Sequence, residues 1–176
     1  MRTIHARIGE KAGTVRQQKD VQDIWMRYPA HKKTWKNMAV KNGVGFRFVK
    51  GVCMEYLLTI HGKLPGLNDY IAAERANRHK GAKMKADNGN IVAVAIRQCM
   101  SGVRIEKPVF MEYLWVEPSR RRDKDNISSF GRKVIQDALV STGVLKDDGW
   151  KYVVGFSDRF EVDKDNPRIK IKIIEQ

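Results

Sequence analysis

The stretch RRRDKDNISSFGRKVIQDAL, residues 120–139, decides the fold, because Ile127, Phe130, Val134 and Ala138 recur at the three- and four-residue spacing of one helix face. A helix over 127–141 follows, with Gly143 as its natural stop. Ahead of it stand two aspartates, one residue apart, behind three consecutive arginines. Either the charges neutralise one another in a solvated cluster, with Asp125 capping the helix and Asp123 paired to an arginine, or the acids hold a metal ion while the arginines hold something anionic. If Asp125 or Asn126 caps the helix, both carboxylates converge near its positive end.

Working outward, MEYLLTI (54–60) is a short apolar, β-prone run closed by His-Gly. A turn follows, and Asn68 occupies an N-cap position, so a helical region is predicted from Asp69 to about Met100, with a break near Asp87–Asn90. PVFMEYLWVEP (108–118) is a second strand, bounded by proline at each end. WKYVVGF (150–156) and RIKIKII (168–174) are further strands, the last alternating charged with apolar residues. The expected architecture is α+β: a small mixed sheet of about four strands with two to three helices.

A chain of 176 residues, 42% hydrophobic and 31% charged, has ordinary globular composition. Its net charge of +14 does not, and favours a polyanionic partner, most simply nucleic acid. The excess is uneven: residues 1–53 hold 12 Lys/Arg against 3 Asp/Glu, whereas residues 54–176 hold 22 against 17. Cys53 and Cys99 make neither a disulfide framework nor a zinc site, and the four histidines lack the spacing of a ligand pair. The longest fully apolar run, Ile91–Ile96, is too short to span a membrane. A cytoplasmic protein is expected.

Residues 1–53 are therefore set apart from a domain at 54–176. Two readings stay open for them. One is a basic arm on phosphate backbone. The other is an upstream over-read with the natural start at Met54, since Lys50-Gly51-Val52 can be encoded by a sequence resembling a ribosome-binding site.

Asp147 and Asp148 lie in a polar LKDDG loop after the helix, where an ordinary turn is the simplest reading. The pattern as a whole is DxDN, a helix carrying Arg132 and Lys133, then DAL and a DD loop, preceded by GKLPGLN (62–68) after the first strand. This set resembles the RusA family of Holliday-junction resolvases over about Met54 to Glu175, GKLPGLN being similar to the family's Pro-x-x-Asn element.

The resemblance implies a homodimer that cuts four-way junction DNA in bacterial cells, in phage or prophage recombination and repair. It further implies three aspartates that bind Mg2+, with Mn2+ as the alternative, and an assisting helix lysine. The acids fall on Asp123, Asp125 and, counted from DAL, Asp148. Counted back from DAL the lysine is Lys133; counted forward from DxDN the position is Ser129, and Arg132 is the substitute cation. Helical geometry favours Lys133, which shares a face with Asn126 to within ~20°. Arg120, Arg121, Arg122 and Arg132, together with Asn68 and the second basic stretch Arg78, Lys80, Lys83 and Lys85, are the expected DNA contacts. For each basic residue a solvated surface charge is the plainer reading.

Distance poses a question. A helix over 127–141 is ~22 Å long, and the seven residues from Thr142 to Asp148 span at most ~25 Å. Either the loop nearly doubles back, or the helix starts late or kinks, or Asp148 completes the site of the other subunit. The letters DKDN also recur at 163–166, but there Pro167 follows, which suits a hairpin turn and no chemistry. The competing function is a basic DNA-binding protein without catalysis. A restriction-type nuclease is disfavoured, for want of an acidic pair followed closely by Glu-x-Lys.

Overall fold

The computed structural model describes the backbone of residues 38–41 and 44–48 and the whole of residues 54–176. The rest of the 1–53 segment, and with it the two readings of that segment, lies outside the described residues. In chain order the elements are β1 (Met38–Lys41), β2 (Val44–Phe48), β3 (Met54–His61), α1 (Leu67–Ala76), α2 (Arg78–Cys99), β4 (Val109–Glu117), α3 (Lys124–Ser141), β5 (Val153–Val162) and β6 (Arg168–Glu175). The fold is α+β. Four strands, β3-β6-β4-β5, form a mixed sheet with β4 and β5 parallel, and β1 and β2 extend it antiparallel beyond β3.

Periodicity explains the core. Tyr56, Leu58 and Ile60 of β3, Ile169, Ile171 and Ile173 of β6, and Met111, Tyr113 and Trp115 of β4 are buried in one cluster with Ile127, Phe130, Val134, Ile135 and Ala138 of α3. Gly131 lets α3 come close, for a Cβ there would meet Trp115 Cη2 at 2.6 Å. Tyr70 of α1 stacks on Phe130 of α3, ring centroids 4.9 Å apart.

Three expectations are corrected. The helical region breaks at Asn77, not near Asp87–Asn90: Asn77 is extended, and its side chain accepts from His79 N at 2.8 Å, capping α2. The N-cap of α1 is Gly66 rather than Asn68, with Asp69 reaching back to Gly66 N at 2.8 Å. The second DKDN does not close a hairpin between neighbours, because β4 lies between β5 and β6. Strand β6 alternates as expected, yet both of its faces are buried: Lys172 Nζ lies 2.9 Å from Glu55 Oε1 and 3.8 Å from Glu112 Oε2. Burial there depends on opposite charges on the flanking strands.

Candidate active site

Helix α3 begins earlier than its apolar period implies. Asp123, in extended backbone at φ −68° and ψ 152°, is the N-cap, and Asp125 sits in the first turn. This replaces Asp125 or Asn126 as the cap. The Asp123 side chain makes no capping hydrogen bond, so the exposed carboxylates of Asp123 and Asp125 both stand at the positive end of α3.

Asn126 is turned the other way. Its Oδ1 accepts from Asn68 N at 2.8 Å, and a Cβ on Gly66 would meet the same oxygen at 2.5 Å. The PGLN turn is thus seated on the first turn of α3, joining two motifs that lie far apart in the chain. The Asn68 side chain itself is exposed.

Lys133 lies about two turns further along. Its Nζ is 2.7 Å from Asp148 Oδ2 and 2.7 Å from Asp137 Oδ1, and Asp137 Oδ2 in turn is 2.8 Å from Lys85 Nζ. The four charges make a ladder, Lys85–Asp137–Lys133–Asp148. Hydrogen bonds that Lys133 donates to Asp137 and then to Asp148 hold its pKa above the ordinary value. Burial works against ionising Asp137, but the hydrogen bonds of Lys133 and Lys85 outweigh it and lower its pKa. Lys133 therefore stays an ammonium, unsuited to act as a base. Two of its three donors meet carboxylates, and one remains.

The 142–148 loop doubles back far enough to put Asp148 on Lys133 of its own chain. Lys133 lies about 12 Å along the axis from Asp125, so Asp148 meets α3 nearer its middle than its start. Accordingly, no three His, Cys, Asp or Glu side chains among the described residues come together as a group that could hold a metal ion. The donors nevertheless suit magnesium in kind: hard carboxylate oxygens without thiolate or imidazole, for an ion commonly held by one or two carboxylates with phosphate oxygens and water.

The basic residues divide sharply. Arg122 Nη2 lies 2.7 Å from Glu117 Oε1 and 2.8 Å from Glu117 Oε2, and Nη1 donates to Leu64 O at 2.9 Å. It ties the end of β4 to the β3–α1 turn, a structural task. Arg132 is similarly held: it pairs with Asp158, which also accepts from Trp115 Nε1 at 2.8 Å, and its guanidinium lies 4.5 Å from the Phe156 ring centroid. Of the two cations, Lys133 pairs with Asp148 and Arg132 with Asp158. Lys83 pairs with Asp87 at 2.9 Å, while Arg78, Lys80, Arg120 and Arg121 are exposed.

Sequence reasoning used Asp137 only as part of DAL and gave it no role. Its four-residue spacing from Lys133 was the available signal. Glu117 and Asp158 carried no signal, since their partners come from other elements.

No family model matches the chain, and no curated protein sequence does. Among solved structures, PurLQS from Thermotoga maritima is similar over 76% of this chain and 19% of its own, at 14% identity and a TM-score of 0.31. T. maritima PurL complexed with ATP is similar over 76% and 20%, at the same identity and TM-score. The chain spans about a fifth of those proteins' length, and likeness at this level carries no argument about fold or chemistry.

Proposed function

We propose that this protein is a metal-dependent, structure-selective endonuclease of the RusA type, a homodimer that nicks four-way junction DNA in phage or prophage recombination. The observation that carries the reading is the Lys133–Asp148 contact at 2.7 Å, which joins the two residues that the resemblance pairs as assisting cation and third acid. The seating of Asn68 on Asn126 supports it, since both belong to the motifs of the resemblance.

Asp123 and Asp125 would hold the divalent ion, joined by Asp148 when the 142–148 loop brings it to the start of α3; the ion would activate water and offset charge on a phosphodiester. The chain's own part is positioning. Asp123 and Asp125 present carboxylates at the start of α3, and the remaining Lys133 donor faces charge that develops on phosphoryl oxygens. Arg120 and Arg121 seat the backbone. Two-fold symmetry supplies two equivalent sites for two opposed nicks.

One observation favours the second reading, a basic DNA-binding protein without catalysis. The acids nearest α3's middle are taken up by lysines, and no three-acid group is present among the described residues. The deciding experiment incubates the protein with a set of immobile four-way junctions and linear duplex, with magnesium, manganese or chelator. Paired, symmetric, metal-dependent nicks in the junctions are expected. Tight binding without cuts on any junction would replace the nuclease by the binding module.

A further inference from the structure

The large apolar side chains exposed on the described surface are Ile91, Val94, Val154, Phe156 and Val162, each about half accessible, and Trp150, whose accessibility is 98%. An indole so fully in water is unusual, because a tryptophan's large apolar surface normally finds cover. Nor is Trp150 at the end of a loose segment. Asp148 N donates to Asp147 Oδ1 at 2.8 Å, and Gly149 O accepts from Tyr152 N at 2.9 Å and from Val153 N at 3.0 Å, leading directly into β5. A hydrogen-bonded turn presents the ring.

Its surroundings name the ligand. Trp150 follows Asp148 by two residues, so their Cα atoms are within about 7 Å. Asp148 holds Lys133, exposed Lys146 and Lys151 flank the turn, and the Asp147 carboxylate is engaged inside it by Asp148 N. An aromatic ring among lysines, beside a candidate phosphodiester site, is the pairing that binds single-stranded nucleic acid: cations follow the backbone while the ring stacks on a base.

We propose that Trp150 is a stacking platform for an unpaired DNA base, such as one exposed where the arms of a branched substrate meet. The proposal rests on the DNA reading above and adds to it a residue that grips unpaired bases independently of any metal. Stacking of this kind tolerates every base, so Trp150 contributes affinity and branch recognition without sequence preference.

The test uses the full chain in chelator, with labelled oligo(dT) and an immobile four-way junction, and compares wild type with Trp150→Ala, Trp150→Leu and Trp150→Phe. Trp150→Ala and Trp150→Leu are expected to weaken oligo(dT) binding about 5- to 100-fold, with Trp150→Phe restoring most of it. A 2-aminopurine in the oligonucleotide should be quenched by wild type and not by Trp150→Ala. Light scattering should give one oligomeric state for all four proteins. If Trp150→Ala binds oligo(dT) as wild type does while the junction is still bound in chelator and is cut once magnesium is added, stacking is wrong and the nuclease reading stands. A dimer that falls apart in Trp150→Ala would make the ring a chain–chain contact and also overturn stacking. Wild type that binds neither DNA would remove both readings together.

Discussion

Residues 123–126 and 163–166 have the same four letters, DKDN, and the protein uses them in opposite ways. In the first copy Asp123 begins α3, its carboxylate bonded to no backbone amide of the cap, and Ile127 N makes the first helical bond to Asp123 O at 3.0 Å. In the second, Asp163 Oδ1 accepts from Asp165 N at 3.3 Å and Asn166 N at 3.2 Å, while Oδ2 lies 2.7 Å from Arg168 Nη1. One copy offers its carboxylate to solvent; the other uses it to build a turn. The residue that follows makes the difference. Ile127 continues a helix into the core, whereas Pro167 disfavours helix at Asn166.

The strongest way to break that comparison is to exchange the contexts. Ile127→Pro should remove the first α3 bond and a buried side chain together, costing about 5 kcal/mol and abolishing junction cleavage. Pro167→Ile should leave the fold intact; urea unfolding followed by circular dichroism compares the two.

Next come the arginines in front of the first copy. Arg122→Ala strands the buried Glu117 carboxylate and should cost about 3–5 kcal/mol. Arg120→Ala or Arg121→Ala should leave the unfolding midpoint alone and each lower the salt slope of DNA binding by about one. Similar midpoints for Arg122→Ala and wild type would contradict the structural role given to Arg122.

The acids sharpen the comparison within the site. Asp123→Asn, Asp125→Asn and Asp148→Asn should each slow junction cleavage by about a hundredfold or more, with binding retained, because an ion that activates water is worth several kcal/mol. Asp163→Asn and Asp165→Asn should not slow it. Equal single-turnover rates for the two sets would withdraw chemistry from the first copy.

The smallest effect belongs to the charge ladder. Asp137 has its pKa lowered from 3.8, so its stabilising contribution is complete above that value and lost as pH falls through the lower folded one. Lys133, raised from 10.5, contributes below that value and loses its contribution as pH rises through the higher folded one. Asp137→Asn should therefore flatten the acid limb of stability below about pH 4, by less than about 1 kcal/mol for so exposed a pair. Unfolding midpoints across that range supply the check; an unchanged limb would deny the ladder any energetic part.

Much of the fold was legible because it is written in local periods. The strands at β3, β4 and β6 and the body of α3 carry apolar residues at spacings of two or of three and four, and the structure has them there. Ends were less legible. Lys124 to Asn126 carry no apolar residue, so periodicity could not extend α3 to its true start. The break at Asn77 was hidden because an asparagine that caps α2 also reads as an ordinary polar residue in a helix.

The sequence by itself determined β3, β4, β6 and the body of α3, the positive charge and the grouping of acids and cations around one helix, because composition and local spacing are enough for these. Only the tertiary structure decided which charges meet. Glu117 reclaims Arg122, Asp158 reclaims Arg132, and Asp148 reaches Lys133 because β4, β5 and the 142–148 loop pack where they do. Pairing between side chains on different elements depends on how those elements cross, and no spacing along the chain records that.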